Sequence, residues 1–148
     1  MIIDSHAYTF LPSDDPRGYS SGKEHLARVQ SSYAGHHQPA FRLRDRAPGD
    51  ASVLNPEGTR NPDRMPDVNF RLDRAAGRLV WTVDGDDYTK HYFPPNLRDL
   101  EYTPDSLIGE MDYAGVDLAL IHTDPMLLRD SSYLAECIAK FPNRLRAM

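Results

Sequence analysis

Two short apolar runs, each ending in a histidine, constrain this chain more than any other feature: MIIDSH at its start and LALIH at 118–122. Continuous aliphatic runs of this length suit strands covered on both faces, as parallel strands in α/β proteins are. Each run hands over to polar residues at its carboxyl end, His6 in the first and His122-Thr123-Asp124 in the second. Parallel sheets gather their ligand sites at that end, because the loops converge there. Between the runs lies TPDSLIGEMDYAG. Thr103 is suited to cap a helix, Pro104 to open it and Gly115 to close it, while Leu107, Ile108, Met111 and Ala114 share one face. A second amphipathic stretch, 131–141, places Leu134, Cys137, Ile138 and Phe141 at i, i+3, i+4 and i+7, which makes Cys137 a core residue. The pattern predicts parallel strands at 2–4, 118–121 and 145–147, packed by helices at 104–114 and 131–141.

The intervening sequence has a different character. Residues 11–22 are rich in Pro, Gly and Ser and predict a loop. Residues 23–33 form an amphipathic helix with a thin stripe of Leu26, Val29 and Tyr33, followed by His36-His37 at its exposed end. Neighbouring side chains on a helix diverge by about a hundred degrees, so this pair is unsuited to one metal ion. Residues 38–66 read as an irregular excursion whose FRLRDR segment is a solvated stretch. Period-two alternation then returns at Val68, Phe70 and Leu72 and again at Leu79, Trp81 and Val83, around a turn at 74–77, which predicts a β-hairpin. Asp84-Gly85 predicts a second turn and Tyr88, Lys90 and Tyr92 a third strand, with Pro94-Pro95 ending the meander. The acidic group Asp84, Asp86 and Asp87 lacks the spacing of a calcium loop and reads as a turn. Residues 38–95 are thus expected to be an insertion lying outside the parallel sheet.

Composition narrows the partners. With 17 basic and 22 acidic residues, a net charge of -5 and no concentrated basic stretch, the chain offers no phosphate-binding face, so no nucleic acid is expected as a partner. No segment reads as a membrane span or export signal, and one cysteine excludes an intrachain disulfide or a Cys-based zinc cluster. No membrane partner and a cytoplasmic location are the corresponding expectations.

MIIDSHAYTF resembles the first strand of the amidohydrolase superfamily, in the branch of aminocarboxymuconate-semialdehyde decarboxylase. TPDSLIGEMDYAGVDLALI and YLAECIAKFPNRLRAM resemble that branch's next helices and its second and third strands, in the family's order. The resemblance implies an α/β chain forming the N-terminal part of a (β/α)₈ TIM barrel, strands one to three, as one partial barrel domain over 1–148 with the insertion after strand one. It implies a divalent metal, zinc foremost, with His6 as ligand. The family's His-x-His is here His6-Ala7-Tyr8, so Tyr8 is expected to donate a hydrogen bond to substrate, and no residue is assigned as catalytic. The implied activity is metal-dependent hydrolysis of a C–N or C–O bond in a small organic molecule. A decarboxylase of the same superfamily and a non-catalytic binding protein derived from it are the alternatives. An open half-barrel would leave apolar edges uncovered, which makes a homo-oligomer a further expectation.

Overall fold

The structure is a computed structural model that describes residues 1–148 apart from Arg17, Pro95, Asn96, Arg98 and Pro125. Pro95, half of the pair expected to end the meander, and Arg17, inside the expected loop, therefore lie outside the described residues. In chain order the elements are β1 (Ile3–Tyr8), α1 (Gly22–Gly35), β2 (Ala40–Arg42), β3 (Arg71–Asp73), β4 (Arg78–Val83), β5 (Asp86–Lys90), α2 (Pro104–Ala114), β6 (Leu118–His122), α3 (Ser132–Lys140) and β7 (Leu145–Ala147), with single 3₁₀ turns at Ser52–Leu54 and Pro62–Arg64.

The strands form two sheets. A three-stranded parallel sheet has the order β1-β6-β7, and a separate antiparallel sheet has the order β2-β5-β4-β3. The three expected parallel strands pair as their sequence pattern predicts, and the hairpin lies outside their sheet. The barrel expectation is corrected. The described residues make a mixed α/β arrangement of a short open parallel sheet, an independent four-stranded antiparallel sheet and three α-helices, which is not a portion of a (β/α)₈ barrel. One reason is local. Ile2 and Ile3, taken as buried on both faces, are 59% and 51% exposed at the start of β1, an edge strand of the sheet. A run of aliphatic residues specifies a strand more firmly than it specifies a cover for it.

Capping chemistry sets the helix bounds. In α2 the Thr103 side chain accepts the Ser106 N–H, and Gly115 ends the helix with φ 70, a left-handed conformation that glycine adopts without a Cβ penalty. Ser21 caps α1 by accepting the Glu24 N–H, while Glu24 accepts the Ser20 N–H and O–H in return.

Two hydrophobic clusters result. One joins Ala7, Leu107, Met111, Ala119, Ile121, Leu134, Cys137 and Leu145, where α2 and α3 pack against the parallel sheet. The other centres on Trp81, Tyr33, Leu54, Leu79 and Leu100, where α1 lies on the antiparallel sheet. Cys137 is 1% exposed, as a core residue should be. Of the expected solvated stretch FRLRDR, Phe41 and Arg42 belong to β2, which pairs with β5 and where Arg42 finds two carboxylates, Asp45 and Asp86, while Arg44, Asp45 and Arg46 beyond it are exposed. Of the acidic group, Asp84 forms the turn with Gly85, at φ 51 and 83, whereas Asp86 and Asp87 open β5 and pair with Arg42 and Arg71.

Buried polar groups tie the halves together. His25, 2% exposed, sets Nδ1 2.7 Å from the Asp15 carbonyl and Nε2 2.9 Å from the Met126 carbonyl, joining α1 to the segment after β6. The Phe10 and Tyr102 backbones exchange two hydrogen bonds, holding the end of β1 beside the entry to α2.

Candidate functional site

The carboxyl edge of the parallel sheet is built around a bulge. Ile3 and Asp4 pair with Leu118 and Ala119, and Ala7 and Tyr8 with Ile121 and His122, so β1 holds one residue more than β6 between the two registers. A bulge leaves backbone groups without ladder partners, and side chains must serve them. The Asp4 carboxylate accepts the His6 N–H at 2.9 Å, and the His122 ring meets the freed Ser5 carbonyl at 2.9 Å through Nε2. A carbonyl only accepts, so the neutral ring carries its proton on Nε2 and keeps Nδ1 as a lone-pair acceptor.

Across the bulge the period of two places His6 and Tyr8 on one face. Tyr8 Oη lies 3.0 Å from His6 Nε2, with the two rings edge to face at 5.1 Å. The His122 ring is 4.7 Å from His6 and 6.2 Å from Tyr8, centroid to centroid. Two imidazoles and a phenol from two adjacent strands therefore share one mouth. The sequence-predicted residues His6 and Tyr8 are brought together, and His122 joins them. Asp124 does not join the group; its carboxylate accepts the Met126 N–H at 2.8 Å and shapes the turn after β6.

A zinc ion of catalytic type takes three protein ligands. Among the described residues no group of three or more His, Cys, Asp or Glu side chains is arranged to hold a metal ion. The mouth supplies two imidazoles, each with Nε2 engaged, and the third position is the phenol of Tyr8. The described donor set does not fit the implied zinc.

Next to the mouth opens a cavity of about 450 Å³, within the range of small-molecule pockets. Tyr8 forms part of its wall, together with Phe10, Tyr92, Phe93 and Tyr102, and with the carboxylates of Glu110 and Asp124. The Tyr102 hydroxyl is pushed above its usual pKa by burial, and its hydrogen bond to the Glu110 carboxylate adds to that shift. Tyr92 is raised too, by burial first and then by the charge of Asp124. Sequence reasoning missed this wall. The signal was available in Tyr92, Phe93 and Tyr102, but these lie in the connection between β5 and α2 and follow no single period.

The other histidine candidates lie elsewhere. His36 caps the C-terminus of α1, its ring 4.5 Å from that of His37 and 4.3 Å from that of Tyr92. Its pKa is lowered by burial, then by His37 and by Lys90. No helix among the described residues is long and apolar enough to cross a membrane. No family model, curated protein or solved structure matches the chain.

Proposed function

We propose that the chain carries the acid–base mouth of an amidohydrolase-type enzyme that hydrolyses a C–N or C–O bond in a small organic molecule. The observation that supports this reading is the convergence of His6, Tyr8 and His122 at the carboxyl edge of a parallel sheet, beside a pocket of ligand size.

The roles follow from hydrogen bonding. His122, fixed by the Ser5 carbonyl as the Nε2–H tautomer, offers Nδ1 as the base that takes a proton from an attacking water. The new C–O bond moves the carbonyl electron pair onto oxygen. When His6 bears its proton on Nε2, the Tyr8 oxygen accepts that bond and turns its own O–H toward the developing oxyanion. As the tetrahedral species collapses, the leaving nitrogen or oxygen takes the proton held by His122. Proton and electron pairs balance with water as the only co-reactant.

The test is hydrolysis of a panel of small esters, lactones and anilides by the wild-type chain, with and without added zinc, and by His122→Ala and His6→Ala variants. Loss of the base should lower kcat/KM by roughly 10²–10⁴-fold. Turnover unchanged in both variants would refute the assignment. A non-catalytic binding protein is the second reading, favoured by the two-imidazole donor set. It requires ligand uptake by the cavity without turnover of any panel member.

A further inference from the structure

The cavity beside the mouth has a chemical bias of its own. Its wall brings together five aromatic rings, those of Tyr8, Phe10, Tyr92, Phe93 and Tyr102, from β1 and the segments before α2. Several are packed as neighbours along this wall. Phe10 lies 5.8 Å from Phe93 and 6.3 Å from Tyr102, and Tyr92 meets Phe93 edge to face at 4.9 Å. Aromatic faces carry negative quadrupole density, which attracts a cation and is indifferent to a neutral group of the same shape.

The charged groups point the same way. Two carboxylates, Glu110 on α2 and Asp124 after β6, reach the wall, and none of the described lining residues is Lys, Arg or His. Asp124 and Glu110 also add, after burial, to the upward shifts of the Tyr92 and Tyr102 hydroxyls, which places each carboxylate near one of the lining tyrosines. An anionic ligand would meet two like charges and electron-rich faces, while an alkylammonium ion would meet two counter-charges and a wall of aromatic faces. The net charge of -5 adds long-range attraction for a cation.

We infer that this cavity is a selective site for a small organic cation, of the quaternary or alkylated ammonium class, held by the rings of Phe10, Tyr92, Phe93 and Tyr102 against Glu110 and Asp124. The inference rests on the reading of the cavity as the ligand site and names the substrate class for it. It does not depend on which bond is cleaved.

Calorimetric titration of the full chain with choline and benzyltrimethylammonium, each compared with its neutral carbon isostere, tests this. The isosteres are 3,3-dimethylbutan-1-ol and neopentylbenzene. Each cation should bind at least about tenfold more tightly than its isostere, a difference of ~1.4 kcal/mol. Glu110→Gln, at an exposed position that should leave folding intact, should reduce that preference several-fold, as should raised salt. Tyr92→Leu should weaken the cations more than the isosteres. Equal affinity for cation and isostere would overturn the inference while leaving the cavity as an apolar ligand site. Preference for benzoate would overturn it through the charge argument. Absence of binding by cation and isostere alike would overturn it together with the cavity reading. His122→Ala, at a residue outside the cavity lining, separates the two proposals, since it should lower hydrolysis by roughly 10²–10⁴-fold and leave cation affinity within about twofold.

Discussion

Replacing Tyr8 by histidine should convert the mouth into a metal site, and the geometry allows the gain to be worked out. In a tetrahedral zinc site with Zn–N near 2.05 Å, each imidazole centroid sits about 3.2 Å from the ion. Two ligand rings are then about 5.2 Å apart. The corresponding separations here are 5.1 Å for positions 6 and 8, 4.7 Å for 6 and 122, and 6.2 Å for 8 and 122. Two of the three separations are within about half an ångström of that value, and the third is about 1 Å longer. The substitution acts twice, supplying the third imidazole and removing the hydroxyl that occupies His6 Nε2. Completing a three-ligand set should raise zinc affinity by at least about tenfold, or ~1.4 kcal/mol. Calorimetric titration of zinc into the wild-type and Tyr8→His chains, with His6→Ala in both backgrounds as control, measures it. No gain in Tyr8→His would show that the strand face does not present its side chains to a common ion. Tight one-to-one binding by the wild type, lost in His6→Ala, would refute the donor count.

Opposite signs are expected for two glycines of α1: a Cβ at Gly22 would lie 2.0 Å from the Asp14 carbonyl oxygen, whereas one at Gly35 meets nothing within 4 Å. Denaturant melts should therefore show Gly35→Ala more stable by up to about 1 kcal/mol and Gly22→Ala less stable by about 1–3 kcal/mol, and equal signs would contradict the packing described for the α1 N-terminus. Burial pushes the Tyr33 hydroxyl up to about 12. A raised acid contributes stability below its unfolded pKa near 10 that is lost as pH climbs toward 12, so the decline should appear in alkaline melts and disappear in Tyr33→Phe. That variant should also lose about 1–3 kcal/mol at neutral pH, because Tyr33 Oη donates to the Lys90 carbonyl at 2.6 Å. Asp45 is held at about 2 by hydrogen bonds from the Arg42 guanidinium and then the Ala47 N–H, so its contribution persists above the unfolded value near 4 and is lost as pH falls toward 2. Carboxyl NMR titration should show it raised toward the ordinary range in Arg42→Leu, with the Ala47 N–H still holding it below.

How far the sequence exposes this architecture depends on the range of the interaction concerned. The bounds of α2 follow from Thr103, Pro104 and Gly115, all within one turn of the helix ends, and the structure places it at Pro104–Ala114. Strands β6 and β7 are equally legible as aliphatic runs between punctuating residues. β2 is not, because the backbone pairing with β5 and the Arg42–Asp86 ion pair that accompanies it join residues more than 40 positions apart. The absence of a barrel was illegible for the same kind of reason. The β/α order of 103–148 is local, whereas closure of a sheet is a property of the whole set of strands.

The mouth shows both limits within a few residues. That His6 and Tyr8 share a face follows from the two-residue period, and that His122 ends a neighbouring strand follows from the second aliphatic run. What no period reveals is the extra residue in β1 between Asp4 and Ala7. Without it, His122 would oppose a different residue and the Ser5 carbonyl would be engaged in the ladder, leaving the imidazole without the acceptor that fixes its tautomer. Asp4 and His122 bind the two backbone groups that the bulge frees, one on each side of the Ser5–His6 peptide. Both side chains thus stabilise the same local distortion, and their removal should be non-additive. In a double-mutant cycle, Asp4→Ala and His122→Ala together should cost less than the sum of the single losses by about 0.5–3 kcal/mol. Strict additivity would mean that the bulge is held by the sheet alone and that the alignment of His122 beneath His6 owes nothing to Asp4.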